Sequence, residues 1–299
     1  MGQDNGWTLS AKKINWRDPR LYQIVSLSTL LLYGLIWLHF DIPILQMAVT
    51  LGTALLAQYV GTRSLNLPTF DPKSPLISAL SLCLLLRTNE ELIAGLAACL
   101  AIASKFLIRW NDKHVFNPTN LALVVVLASG LAWISPGQWG QVAWFGFLVA
   151  CLGSLVVTRA ARADVTLAFF GFYVGLLFVR ALWLGDPLTI PMHQIENGAL
   201  LIFSFFMISD PKTTPNSRAG RIVFSLLVAV AAMYVQFGLF TPNGPLWGLI
   251  ACAPFVPFID WLLPGSRYNW ANPSNGDRLI PASMPIVVPL SISQHRRFS

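Results

Sequence analysis

Two stretches of this chain, Val115 to Thr158 and Ile222 to Ile259, each run for about 40 residues without a charged side chain. A helical crossing of a bilayer takes roughly 20 apolar residues, so each stretch is long enough to cross twice. Each is broken near its middle by a turn-forming cluster. In the first it is Ser135-Pro136-Gly137-Gln138, in the second Thr241-Pro242-Asn243-Gly244-Pro245. The chain is therefore expected to be a polytopic, all-α integral membrane protein built of helical hairpins.

Only 11% of residues are charged, against about 25% in soluble domains, and a mean hydropathy of +0.61 leaves little room for a separate soluble domain. A net charge of +7 is not read as a nucleic-acid footprint, because in a membrane chain the informative property is where the cations lie. The segment before Tyr22 is polar, with Lys12, Lys13, Arg17 and Arg20, and does not read as a signal peptide. Cys83, Cys99, Cys151 and Cys252 sit inside apolar runs with no CxxC pair, and are expected to be packing residues rather than metal ligands or disulfides.

Apolar runs between charges give ten candidate spans, at about 22–40, 43–60, 75–86, 92–108, 119–134, 139–157, 165–184, 197–208, 222–240 and 246–263. The third and eighth are too short for a full crossing at about 1.5 Å per residue and are expected to be half-helices. With ten spans, 17 of the 20 Lys and Arg fall on the side of the N-terminus, and Arg87 alone on the other. Cytoplasmic loops are enriched in Lys and Arg, so both termini are expected in the cytoplasm, at an inner (plasma) membrane. Lys105 and Arg180 fall inside spans near their ends and are expected to snorkel to the interface. The expected organisation is an N-terminal segment 1–21, a membrane domain 22–263 and a C-terminal tail 264–299 that reads as partly disordered.

The order of features recurs. Segment 75–86 leads to Arg87-Thr88-Asn89, then a full span, then Phe116-Asn117-Pro118-Thr119-Asn120 opening another run. Segment 197–208 leads to Ser209-Asp210-Pro211-Lys212-Thr213, then a full span, then Phe240-Thr241-Pro242-Asn243-Gly244. Five spans per half would set the halves (about 22–134 and 139–263) in opposite orientation. Transporters built this way bind their substrates at the midplane between broken helices.

Two motifs carry the chemistry. Asn117-Pro118-Thr119 has a helix-capping Asn and a Pro at the first helical turn. Its free amides suit either simple capping or an electron-rich group. Asp210-Pro211-Lys212-Thr213 places an acid before a proline that forces a break, which suits either a capping carboxylate or a cation site. These seven residues are the candidate binding site. No catalytic residue is assigned. His39, His114, His193 and His295 share no metal-ligand spacing, and there is no HExxH, phosphate-binding glycine loop or GxSxG. Trp7, Trp16, Trp37, Trp110, Trp133, Trp139, Trp183, Trp247 and Trp261 cluster near span ends, as in interfacial belts.

In this order the motifs resemble the NqrB/RnfD family, the large membrane subunits of the sodium-pumping NADH:quinone oxidoreductase and of the Rnf electron-transport complex. The resemblance rests on the run 78–86, on His114-Val115-Phe116-Asn117-Pro118, on the run 197–211 ending in Ser209-Asp210-Pro211, and on Asn243-Gly244-Pro245 with Pro257-Phe258-Ile259-Asp260. It implies ten helices in two inverted five-helix repeats with both termini cytoplasmic. Members of the family carry flavin mononucleotide on a threonine, in a Ser-Gly-Ala-Thr loop after the fifth span. Here that loop reads Trp133-Ile134-Ser135-Pro136-Gly137-Gln138-Trp139-Gly140, without threonine. A covalent FMN is therefore not supported, and Ser135 is a poor substitute.

The expectation is a membrane subunit of an ion-coupled electron-transport complex, holding a non-covalent FMN or riboflavin, or guiding electrons or cations, between its half-helices. Its expected partners are membrane lipid and other subunits of a redox complex, with no nucleic acid and no metal. Whether it is an enzyme on its own stays open. The alternatives are a solute or ion transporter without redox chemistry, and a scaffold that has lost its cofactor.

Overall fold

The computed structural model describes residues 18–111, 113–134 and 143–268. Twelve helical elements follow one another among them: α1 (Pro19–Ile36), α2 (Ile44–Ser64), α3 (Lys73–Leu85), α4 (Glu91–Leu107), α5 (Pro118–Ala128), α6 (Ala143–Arg159), α7 (Ala163–Leu184), α8 (Thr189–Ile195), α9 (Gly198–Ile202), α10 (Arg218–Met233), α11 (Gly244–Cys252) and α12 (Val256–Leu262). A π turn (Phe203–Met207) extends α9 and another (Tyr234–Gly238) extends α10, while a 3-10 turn joins α11 to α12. A two-residue hairpin, β1 (Arg109–Trp110) with β2 (Lys113–His114), fills the link from α4 to α5.

The helix starts follow from local chemistry. The Asp18 carboxylate accepts from the Arg20 amide ahead of Pro19. Asn117 does the same for Asn120 ahead of Pro118, Asn197 for Ala199 and Ser217 for Gly220. Each satisfies an amide that the first helical turn leaves free. Gly185, at φ 72°, ends α7 in the left-handed conformation that glycine adopts without strain.

Four segments are long and apolar enough to cross a membrane: Ile44–Ser64, Ala163–Leu184, Arg218–Gly238 and Gly244–Leu262. The short segments predicted from the sequence are the centre of the bundle. Nine of the thirteen residues of α3 are buried, including Leu80, Leu82, Leu84 and Leu85. α9 and its π turn bury Leu200, Ile202, Phe203, Phe206 and Met207. A helix apolar on every side belongs inside protein or lipid, and here other helices supply the surroundings. α1 and α2 pack on α3, α2 packs on α4 and α4 on α5. Likewise α6 packs on α9, α7 on the first π turn and on α10, and α10 on α11. The two sets meet through α1 against α6 and α5 against α11.

Several expectations need correction. The fifth apolar run, expected over 119–134, is helical only to Ala128. Ser129 and Gly130 (φ 73°) end it, and the strand-like remainder bridges Trp133 to Arg87 through two backbone hydrogen bonds of 2.8 and 2.9 Å. Lys105 does not snorkel: it is buried, with its ammonium donating to Ser74 Oγ at 2.9 Å. Arg180 stays partly exposed, paired with Asp186 and lying 4.0 Å from the Phe237 ring centroid. Cys83 and Cys252 are buried packing residues, but Cys99 and Cys151 lie on the outer surface of the bundle. Trp37, Trp110, Trp133, Trp183 and Trp261 are exposed. Trp7, Trp16 and Trp139 lie outside the described residues, as do residues 135–140 of the loop where the family attaches its flavin, the segment 1–17 and most of the tail.

Candidate functional site

The two motif loops, 93 residues apart in sequence, touch. The Asn117 side chain performs two tasks at once. Its Oδ1 accepts from the Asn120 amide, which starts α5. Its Nδ2 donates to the Met207 carbonyl at 3.3 Å and lies 3.4 Å from Asp210 Oδ2. On the other side the π turn closes through the Ile208 amide on the Phe203 carbonyl, and the Asp210 amide donates to the Met207 carbonyl. Asp210 Oδ1 accepts from the Lys212 amide at 2.9 Å, so the chain reverses tightly at Pro211. Thr213 and Thr214 donate their hydroxyls to the Asp210 carbonyl.

These loops line a cavity of about 230 Å³. Six of the seven candidate residues, Asn117, Pro118, Thr119, Asp210, Pro211 and Lys212, are on its wall; Thr213 stands behind Asp210. The other walls come from α1, from the start of α3 (Ser74, Ser78) and from the last turn of α4. Sequence reasoning did not place Gln58 or Ser74 here, and it sent Lys105 to the interface. The signal for Lys105 was its charge among apolar residues, since an ionisable group inside a membrane segment is a functional-site candidate by default. The signal for Gln58 was weaker: a lone amide in an otherwise apolar helix. Gln58 Oε1 is buried with no donor. Thr119, at the first turn of α5, is buried.

Charge is concentrated at this end of the bundle. Asp18 binds Arg20 and Lys73, and Arg20 also binds Asp71. Burial alone would raise the Asp18 carboxyl, but the hydrogen bonds from Arg20 and Lys73 outweigh it and hold the group at about 2. Asp260 takes the Lys113 ammonium at 2.8 Å and the Asn216 amide at 2.7 Å. Arg221, 1% exposed, grips Asp164 through two nitrogens at 2.6 and 2.8 Å. Arg162 lies 4.7 Å from the Tyr268 ring centroid. The cation-bearing loops thus converge on the end that holds the cavity, as the alternation of charges required. His114 is pushed down to about 4 by burial and by the cations Lys105, Arg109 and Lys212, so its ring is neutral near neutral pH. Burial raises the Asp210 carboxyl against the opposing pull of the Lys212 amide and the Lys105 and Lys212 charges. Among the described residues no group of three His, Cys, Asp or Glu is placed to hold a metal ion.

A second cavity, of about 400 Å³, lies at the other ends of the short helices. It is lined by the starts of α9 and α11 (Asn197, Asn243), by Leu85 at the end of α3, and by Tyr173, whose hydroxyl donates to Gln236 Oε1 at 2.7 Å. Its wall includes Ile134, the last described residue before the loop at which the family attaches its flavin.

Residues 128–269 match the model of the NQR2, RnfD, RnfE family. Three curated relatives each carry the name of a membrane-complex component, the D component of an ion-translocating oxidoreductase complex. The protein from Alcanivorax borkumensis is 30% identical over 110 residues, 36% of this chain and 32% of its own. That from Erwinia tasmaniensis is 28% identical over 136 residues, 44% and 35% of the two chains. One from Escherichia coli is 29% identical over 139 residues, 45% and 36%. The matched segments span about a third of each relative's length.

Proposed function

The chain belongs to the NQR2, RnfD, RnfE family, and on that premise we propose that it is a membrane subunit of an ion-coupled electron-transport complex which holds a non-covalent FMN or riboflavin in the Asn117–Asp210 cavity. The observation that carries this reading is the contact between the two motif loops, which brings Asn117 to Asp210 over one polar cavity inside an apolar bundle. The residues suit a planar ring whose edge alternates carbonyl and N–H groups. The buried Gln58 Oε1 has no donor, and the Lys105 ammonium uses one of its three protons on Ser74. Buried polar groups in such a state are complemented by a ligand that supplies the missing partners. When bound, the flavin supplies the electron chemistry, while Asn117, Gln58 and Lys105 bind and orient it and the apolar helices exclude water.

The finer architecture belongs to the same reading. The ten apolar segments form two inverted five-segment repeats, with α3 and α9 as the half-helices, and both termini are cytoplasmic. Support comes from the packing: α2 on α4, α4 on α5 and α1 on α3 correspond to α7 on α10, α10 on α11 and α6 on α9. The orientation is supported by the clustering of cationic loops at the end that carries Asp18 and Arg267. A protease-protection assay that puts the termini on opposite sides refutes it. Other subunits and lipid are the expected partners.

The test is the visible spectrum of the protein purified in detergent, before and after acid precipitation. Yellow colour released to the supernatant is the expected result. Colour retained in the pellet refutes the non-covalent assignment. A folded, colourless preparation that takes up no added riboflavin or FMN refutes the cofactor altogether and favours a transporter or scaffold.

A further inference from the structure

Lys105 and Asp210 present opposite charges to the same cavity without meeting. Lys105 is 6% exposed, and its ammonium donates to a neutral hydroxyl, Ser74 Oγ, at 2.9 Å. Asp210 uses its oxygens on the Lys212 amide and the Asn117 side chain. Neither has an ion-pair partner within 4.0 Å among the described residues, whereas Arg20 and Asp71, which line the same cavity, are paired with each other. The remaining charged wall residue, Lys212, is partly exposed, and His114 is neutral. An uncompensated carboxylate in such a place attracts a cation. The cavity also offers the oxygens that a hard cation takes: the Asp210 carboxylate, Ser74 Oγ and the donor-free Gln58 Oε1.

We propose that the Lys105 ammonium is a built-in cation, which balances Asp210 and keeps alkali ions out of a cavity otherwise furnished to bind one. This rests on the cavity being the functional site and adds how its charge is regulated: the counter-cation is tethered to α4 rather than exchanged with the medium. Three features make the tether effective. Lys105 lies in the last turn of α4, where the helix dipole favours positive charge. Its four-carbon stem is flexible, so the ammonium has reach within the cavity. Ser74 is in the first turn of α3, so its hydroxyl anchors the ammonium at the cavity wall.

The test is saturable binding of radioactive sodium to the purified full chain, with choline chloride holding the ionic strength. Wild type is expected to bind none, and so is Lys105→Arg, which keeps a tethered cation. Lys105→Met and Lys105→Gln are expected to gain saturable binding, and Asp210→Asn introduced beside either is expected to abolish the gain. The glutamine variant keeps a polar, hydrogen-bonding head on the buried stem if the methionine variant does not fold. Saturable sodium binding by wild type, or a folded Met or Gln variant that binds none, overturns the proposal. A colourless preparation tests the flavin separately, since sodium exclusion by wild type and its loss in the variants do not require a pigment.

Discussion

Asn117 holds α5 and the Asp210 loop together, and replacing it separates its two tasks. Asn117→Ala removes the cap on the Asn120 amide, worth about 1 kcal/mol, and the hydrogen bond to the Met207 carbonyl, worth about 1 kcal/mol net. Met207 keeps the Asp210 amide as a donor, so its oxygen is not stranded. The 3.4 Å contact with Asp210 is too long to add much. A loss of about 2 kcal/mol lowers the melting temperature by roughly 4–8 °C for a chain of this size. Asn117→Ser keeps the cap and is expected to lose about half as much. Asn117→Asp is the informative variant, because it keeps the cap but sets a second carboxylate against Asp210. Two full charges at that separation would repel by about 5 kcal/mol at an effective dielectric of about 20, so the pair retains a proton instead. Burial already raises the Asp210 carboxyl. An acid whose folded pKa lies above its unfolded one binds more protons when folded, so its contribution favours folding at low pH and is lost as pH rises through the folded value. The Asp variant is therefore expected to melt below the Ala variant near pH 7 and to recover toward it near pH 5. Thermal denaturation in detergent, followed by intrinsic fluorescence, reads all three. An Asp variant as stable as wild type and indifferent to pH would refute the contact between the two motif loops.

Three other perturbations test the frame around the site. Arg221→Leu leaves the Asp164 carboxylate without a buried partner and is expected to cost about 3–5 kcal/mol, most of which Asp164→Leu beside it recovers; a double-mutant cycle without that recovery refutes the pairing. Gly248→Ala places a methyl group 2.8 Å from the Ala232 nitrogen and the Val228 carbonyl. Backbone cannot give way as a side chain does, so α11 is expected to move off α10 at a cost of about 1–3 kcal/mol in thermal stability. Asp18 sits below its ordinary 3.8, at about 2. A depressed acid stabilises the fold above its unfolded pKa and ceases to as pH falls through the folded one, so the wild-type melting temperature should drop between about pH 4 and pH 2, and more steeply than that of Asp18→Asn.

The sequence shows most clearly what depends on long apolar runs and on capping residues. Every candidate span contains a helix, and the two short ones are the buried centre, because residues apolar all round have no reason to face water wherever they lie along the chain. Their ends are less legible. The fifth run stays apolar past Ala128, but Gly130 turns the backbone and the following residues pair with Arg87, a long-range partner that no local pattern encodes. The extra helix α8 occupies a stretch read as a loop. The motif residues were legible because Asn-Pro and Asp-Pro are strong local signals. Lys105 was misplaced because position along a helix does not say whether its end faces lipid headgroups or another helix. Gln58 and Ser74 carried no signal that distinguishes them from other polar residues in apolar helices.

The two cavities show how a repeated frame is given different chemistry at its two ends. Each lies where one short helix ends and the other begins, beside the start of a helix opened by an Asn-containing turn. Asn117 is extended, caps its helix and reaches across to the opposite break. Asn243 stands in the corresponding turn in the left-handed conformation (φ 61°) and its side chain caps nothing. The break after α9 carries Asp210, whereas the break after α3 carries Arg87, whose guanidinium donates to the Cys83, Leu84 and Leu86 carbonyls. A cation at a helix C-terminus satisfies the free carbonyls and complements the dipole, so that end is sealed. A carboxylate at the same place opposes the dipole and is stable only with compensation from outside its own helix. The polar cavity thus persists at the Asp210 end because its charge cannot be neutralised locally, and Lys105 on α4 is the buried cation on the cavity wall able to do so.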